Sequence, residues 1–307
     1  MAATKHLFII NPVAGKENSV EKLKNEIEKT FSSLSPEEHT YEIAITKSKG
    51  DATEITKRAA ETGESIRVYA CGGDGTLNEV VNGAALHSNL SVCVIPVGSG
   101  NDFVKSFDGV PKESFLSVAS CINGKTIPCD LLRMDDKYSI NIISAGLDAV
   151  AGKRQAKAKK IPFVSGGFAY KIALVSAFIT SMKTKIAFEI DGEKFDIGNE
   201  YVAIAVLGNG RWYGGGFKAA PYAEISDGLM DFITVRRLSR MEFIRYVGIF
   251  KRGEHIEKMP YVKYKRCRKI TMFSDKPFTV QLDGEAFDVM NPSFEIVPAA
   301  LNLIIPE

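Results

Sequence analysis

Through its first 110 residues the chain alternates short apolar runs with amphipathic stretches, and that alternation constrains its fold more than any other feature. KHLFII (5–10), YEIAIT (41–46), IRVYA (66–70) and SVCVIPV (92–97 at its core) predict strands. Ser19 to Phe31, Asp51 to Thr62 and about Leu77 to Leu86 predict helices. Strands that alternate with helices build a parallel sheet covered on both faces. Each strand here ends in a short loop: NPVAGK (11–16), the Thr46–Asp51 region, GGDGT (72–76) and PVGSGND (96–102). Those loops fall on one edge of the sheet, the edge where open parallel sheets take their ligands.

After about residue 125 the grammar changes. KTIPCDLLRM, YSINIISAG, KIAFEIDGEKFDIG, EYVAIAVLGNG, LMDFITVRR, KITMFS and FTVQLDGEAF read as strands joined by turns. Two carry DGE at the tip, at 191–193 and 283–285, which suits a tight hairpin. Helical stretches over about 153–182 and 239–251 interrupt them. The expected fold is an α/β N-terminal domain with a parallel sheet, at 1–128, followed by a mostly antiparallel β-sandwich at 129–294. A last strand, at about 295–307, is expected to return to the first domain.

Composition narrows the function classes. The 307 residues are 45% hydrophobic with a net charge of +2, as in an ordinary globular protein. That charge, with no recognition helix or RNA-binding signature, argues against a nucleic-acid partner. Four scattered histidines argue against histidine catalysis or a histidine metal site. Five cysteines without metal-like spacing, and no secretory leader, point to reduced thiols and a cytoplasmic location. The most apolar segment, FAYKIALVSAFITSM (168–182), is broken by Lys171 and is too short to span a bilayer.

Glycine lets a backbone approach an anion, and the helix start after it presents free N–H groups with a favourable dipole. One such loop is as consistent with a tight connection; several on one sheet edge point to a nucleotide. GxxxxGK[ST] is absent, and GGDGT puts an aspartate where a dinucleotide fingerprint needs a permissive residue. That aspartate, Asp74, is informative. A carboxylate among phosphates implies an intervening cation, here Mg²⁺. Asp102 is a second carboxylate in an equivalent place, or else a helix N-cap.

NPVAGK, GGDGTLNEVVNG, PVGSGNDFVKSF and the late LDGE together resemble the diacylglycerol kinase catalytic family, most closely its soluble bacterial lipid kinases, over nearly the whole chain. GGDGT alone would also fit NAD kinase and phosphofructokinase relatives, whose fold the resemblance implies for the first domain. The sequence departs where the family often has Ser (Ala14), Thr (Ser99) and Arg (Lys105). The resemblance implies an ATP·Mg²⁺ site in the cleft between domains. It assigns nucleotide contacts to Asn11, Thr46, Gly73, Asp74, Gly75, Thr76, Leu77, Asn78, Glu79 and Ser99, with Asp74 and Asp102 near the chemistry. It assigns the catalytic base to Glu285 on the LDGE turn, although the DGE at 191–193 shows that such a turn also arises without that role. In AEISDGLMDF (223–232) it implies a structural Mg²⁺ held by Asp227 and backbone carbonyls near Glu224 and Leu229, where a solvated turn is the plainer reading.

GKRQAKAKK (152–160) and KYKRCRK (263–269) are basic stretches that suit solvated faces or contact with anionic lipid headgroups. The expected function is a lipid kinase of phospholipid biosynthesis, moving the γ-phosphoryl of ATP to a lipid hydroxyl, diacylglycerol to phosphatidate first among the choices. Location would be cytoplasmic, peripheral to the inner face of the membrane. An exposed sheet edge in the second domain would allow a homodimer. Rival readings are a kinase for a sphingoid base, phosphatidylglycerol, undecaprenol, NAD or a soluble sugar, an ATP-sensing regulator without catalysis, and a lipid-carrier module.

Overall fold

A computed structural model describes residues 3–15, 18–146, 149, 184–198 and 201–307. The expected helical stretch over 153–182, the basic run 152–160 and Lys16 lie outside the described residues. The chain divides into two compact units, residues 1–131 with 298–307, and residues 132–297.

In the first unit, β1 (Thr4–Ile10), β2 (His39–Ile45), β3 (Ile66–Gly72) and β4 (Leu90–Pro96) run parallel in the order β4-β3-β1-β2. Helix α1 (Ser19–Phe31) joins β1 to β2, α2 (Asp51–Glu61) joins β2 to β3, and α3 (Asp74–Ala84) joins β3 to β4. Two short helices, α4 (Lys112–Leu116) and α5 (Val118–Asn123), follow β4. Alternate strand residues give each face its own core. Phe8, Ile10, Tyr69, Cys71, Cys93 and Ile95 pack under Leu23, Ile27 and Phe31 of α1, with Cys121 and Ile122 of α5. Leu23, Ile27 and Phe31 recur at helical spacing and are buried. Each such side chain stabilises the unit by about 1.5–3 kcal/mol. On the other side α3 packs on β3 and β4, and α2 on α3.

The chain reaches β2 on one side of β1 and β4 on the far side of β3. The order of connection therefore reverses between β1 and β3. A parallel sheet opens a crevice at such a point, outside the strands' C-terminal ends.

The second unit is built from antiparallel strands. The long β5 (Lys125–Met134) leads into β6 (Lys137–Ser139), and one sheet holds β7 (Ile142–Gly146), β11 (Tyr201–Gly208), β12 (Met230–Arg236), β13 (Val262–Cys267), β15 (Phe278–Leu282) and β16 (Glu285–Val289), with β8 (Thr184–Lys185) paired to β11. Facing strands include the hairpin β9 (Ala187–Ile190) and β10 (Glu193–Phe195), then β14 (Lys269–Phe273). Phe188, Ile190, Met272, Phe232, Leu207 and Val280 meet in the core of this sandwich. Helices α6 (Arg240–Arg252) and α7 (His255–Lys258) cover part of the outer face of the β7–β13 sheet.

The final strand, β17 (Ser293–Ile305), serves both units along its length. Residues 293–295 pair antiparallel with β14, and residues 302–304 pair parallel with β4. None of the described helices is long and apolar enough to cross a membrane.

Candidate functional site

The loops after β1, β3 and β4 are bonded to one another at the C-terminal edge of the parallel sheet. Asn11, the first residue after β1, donates its Nδ2 to Thr76 Oγ1 at 3.0 Å, bridging the β1/β3 switch point. Its own Oδ1 accepts the N–H of Val13 at 3.1 Å and so shapes the loop. Thr46, after β2, gives its backbone N–H to Ile10 O at 3.0 Å, with its hydroxyl 3.5 Å from the same carbonyl.

GGDGT is not all loop. Helix α3 begins at Asp74, with Gly73 extended as its N-cap, and Thr76 and Leu77 donate to Gly73 O at 3.0 and 3.1 Å. The expected start near Leu77 is therefore three residues late. Glycine and aspartate read locally as turn formers, yet an acidic residue suits a first helical turn. The N–H groups at the start of that turn lie at the edge where an anion would bind.

The bare backbone serves two purposes. Gly98 N–H donates to Gly72 O at 3.0 Å, and a Cβ on Gly98 would lie 2.5 Å from Gly73 Cα. This pair lets two loops pack backbone on backbone. Gly75 has nothing within 4 Å of where a Cβ would stand, so its side is open to a ligand.

Asp74 fastens the fourth loop to the third. Its Oδ1 accepts the N–H of Asp102 at 2.9 Å and of Phe103 at 3.4 Å, at the start of a 3₁₀ turn over Phe103–Ser106. Asp102 stands at the N-cap position of that turn, but its side chain does not cap it; the carboxylate meets Lys105 Nζ at 2.5 Å. Asn101, missed in the sequence, holds the loop closed from a left-handed φ of 51°. Its Nδ2 donates to Pro96 O at 2.8 Å and Gly98 O at 2.6 Å. The signal was there: asparagine tolerates that conformation better than other side chains.

Other expected nucleotide residues divide by position. Ser99 is exposed at the loop tip, whereas Leu77 and Asn78 are buried and support α3. Glu79 turns to the start of α2, accepting the N–H of Ala52 at 3.3 Å.

No set of three His, Cys, Asp or Glu among the described residues could enclose a metal ion. Mg²⁺ in phosphoryl transfer is commonly held by one or two carboxylates, water and the phosphates themselves. Asp74, a carboxylate at the sheet edge among the glycine loops, fits that partial role.

In the second unit Asp283 and Gly284 have φ of 43° and 98°, the paired left-handed residues of a tight hairpin turn. The Asp283 carboxylate accepts Ser139 Oγ at 2.7 Å and the N–H groups of Ile140 (2.8 Å), Asn141 (3.2 Å) and Ile142 (2.9 Å). Four donors on one carboxylate lock the turn to the start of β7. Glu285, opening β16, is half-buried beside it and opposite Leu282. Asn141 Oδ1 and Ser144 Oγ are buried on β7 and its approach without a hydrogen-bond partner among the described residues. The first DGE uses the same device: Asp191 Oδ1 accepts the N–H of Arg268 at 3.0 Å and Lys269 at 2.9 Å. Its glutamate, Glu193, is exposed. Asp-Gly in these turns is thus structural, and the glutamates are distinguished by their surroundings.

Asp227 accepts the N–H of Leu229 at 2.9 Å and pairs with the Arg266 guanidinium, whose Nε is 3.8 Å from Asp231 Oδ2. Burial raises the Asp231 carboxyl above its usual range; the bond from Tyr264, at 2.6 Å, opposes this and nearby Glu224 adds to it. As arranged, an arginine neutralises this acidic group. Asp227 Oδ2 and Asp231 Oδ2 are buried without a hydrogen-bond partner among the described residues, and a Mg²⁺ on Asp227 and the carbonyls of Glu224 and Leu229 would take the place that Arg266 fills here.

The parallel-sheet unit with its interlocked glycine loops and the antiparallel sandwich after it each match a family model drawn from kinases. Residues 5–134 match the diacylglycerol kinase catalytic domain, and residues 141–305 match the YegS C-terminal NAD kinase beta sandwich-like domain. The chain belongs to the diacylglycerol kinase catalytic family. It is 31% identical over 302 residues to the diacylglycerol kinase of Bacillus subtilis (strain 168), covering 98% of this chain and 96% of the relative. A protein of Chromohalobacter salexigens named as a probable YegS-like lipid kinase is 29% identical, over 88% of this chain and 85% of its own. The crystal structure of a diacylglycerol kinase from Bacillus anthracis str. Sterne shares the fold at a TM-score of 0.69 and 21% identity, covering 98% of this chain and 96% of that one.

Proposed function

We propose that the protein transfers the γ-phosphoryl group of ATP to the hydroxyl of a lipid, with diacylglycerol converted to phosphatidate. The observation that carries the nucleotide half is the Asn11–Thr76 bond across the switch point, beside the open N-terminus of α3. Diacylglycerol is put first because relatives similar along nearly their whole length bear that name.

In this reading the α3 N–H groups and the closed PVGSGND loop hold the phosphates, and Ser99 reaches the nucleotide from the loop tip. Bound Mg²⁺ would neutralise developing phosphate charge, with Asp74 as its protein carboxylate through water. The lipid oxygen attacks the γ-phosphorus, the bond to the β–γ bridging oxygen breaks, and ADP carries away that electron pair. Glu285 takes the lipid hydroxyl proton as the new O–P bond forms. Its locked turn fixes where the carboxylate stands, and alignment of this kind supplies much of the acceleration in phosphoryl transfer.

The test is transfer of label from γ-labelled ATP with Mg²⁺ to lipids in mixed micelles. Label is expected in phosphatidate when diacylglycerol is offered. Glu285→Gln should bind ATP as before and lose turnover by about 10²–10⁴-fold. Label on a soluble acceptor without lipid would overturn the lipid reading, and full turnover in Glu285→Gln would remove that residue from the mechanism.

A further inference from the structure

Helix α6 presents an unusual outer face. Its inner side, Tyr246, Ile249 and Phe250, packs on Val206, Ile233 and Val235 of the sandwich. On the opposite side Met241 is 76% exposed and Ile244 63% exposed. With Gly248 they form one line at helical spacing of three and four residues. Arg240 and Lys251 flank this line on one side, and Arg245 and Arg252 on the other, all exposed. No acid of this helix shares that face. The helix's glutamate, Glu242, is turned to the capping box, where it accepts the N–H of Ser239 at 2.7 Å. Glu254, just beyond the end, takes Arg252 at 2.9 Å, and Lys251 Nζ lies over the Phe217 ring at 6.0 Å, so Arg240 and Arg245 are the cations left to the face.

A greasy central line bordered by cations is the chemistry of a helix that lies flat in a membrane interface. The apolar side chains enter the acyl boundary, and the long basic ones reach up to phosphate headgroups. Either feature alone is ordinary on a protein surface, since single exposed apolar residues are common. Here the exposed apolar pair stands inside a border of one charge sign, and that sign is complementary to an anionic leaflet. A second copy of this chain would bring the same cations against themselves.

We propose that the outer face of α6 docks the protein on anionic phospholipid bilayers, with Met241 and Ile244 inserted and Arg240 and Arg245 on headgroup phosphates. The surface stands without the kinase reading, although a lipid acceptor would give it a use.

The experiment is co-sedimentation with vesicles of phosphatidylglycerol and phosphatidylcholine, or of phosphatidylcholine alone, neither holding an acceptor lipid for the reaction above. The wild-type protein is expected to bind the anionic vesicles and to be released by salt. Met241→Asp with Ile244→Asp should weaken binding roughly tenfold or more. Arg240→Ala with Arg245→Ala should weaken it roughly fivefold for each arginine removed. All four positions are exposed, so melting temperature and turnover on micellar substrate should not change. Wild-type protein that ignores anionic vesicles would overturn the proposal. So would variants that bind as the wild type does, or variants that turn a dimer into monomers with vesicle binding intact. Vesicle binding lost in the variants, in a protein that transfers no label to lipid, would keep the docking face and remove the kinase reading.

Discussion

Each unit has an aspartate that works in the same way, by gathering backbone N–H groups from a distant segment. Asp283 fixes the turn that bears Glu285, and Asp74 fixes the fourth loop on the third. The Asp283 carboxylate takes four donors, so losing it would leave several of them stranded. Asp283→Ala should cost about 3 kcal/mol of stability. It should also lower turnover more than it raises the KM for ATP, and Asp283→Asn should restore part of both; a turnover unchanged in a folded alanine variant would show the turn to be free of the chemistry. Asp74→Asn separates clamp from charge. The amide oxygen can still accept from Asp102, so the fold should hold, while Mg²⁺-dependent ATP binding weakens; an unaltered Mg²⁺ titration would remove Asp74 from cation binding. The sequence showed Asp74 as a charge among glycines, but its clamp joins residues 28 positions apart and left no local pattern. Asp283 was hidden for a similar reason. Asp-Gly announced a hairpin, while the four donors come from residues 139–142.

At the scale of elements, the glycines of the two phosphate-type loops should respond in opposite ways. Gly98→Ala forces a Cβ to 2.5 Å from Gly73 Cα, so the loops must part. That variant should melt earlier and lose ATP affinity together. Gly75→Ala meets nothing within 4 Å and lies in the first turn of a helix. Its stability should stay level or rise by about 0.5–1 kcal/mol, while ATP binding falls if phosphate approaches there. Melting curves with and without ATP distinguish the two. Periodicity located the regular elements well: α1 spans Ser19–Phe31 as read, and KTIPCDLLRM is the whole of β5. It failed at the start of α3, where the sheet and the loops around Gly73 settle what local preference cannot. It also failed for α4 and α5, which are too short to show a period.

Across the whole molecule, each unit buries one histidine in neutral form. Burial, then His39 and Arg67, lowers His6 to about 3; burial lowers His255 to about 4, against a bond to Ala219 O. Unfolded histidine takes its proton near 6.5. Between that value and the folded ones the unfolded chain binds more protons, so stability falls as pH falls. At pH 5 each histidine should withdraw about 2 kcal/mol relative to neutral pH. Melting should therefore shift down from pH 7 to pH 5, and His255→Gln should flatten part of that slope; an equal slope in the variant would assign the acid sensitivity elsewhere. The two-part architecture was legible because parallel and antiparallel strands have different rhythms of burial and connection. The Arg266–Asp227 pair was not, since it joins the turn before β12 to a residue of β13 far along the sequence. β17 has a consequence for biosynthesis. Residues 298–307 belong to the first unit, yet all of 132–297 comes before them in the chain. A growing polypeptide can assemble β1 to β4 early, but the strand that pairs with β4 leaves the ribosome only after the entire sandwich has been made. Until then the β4 edge is open to chaperones or to other nascent chains, and a message cut short before Pro298 would leave it so. Placing that strand after the sandwich makes completion of the first unit a check that translation has passed the second.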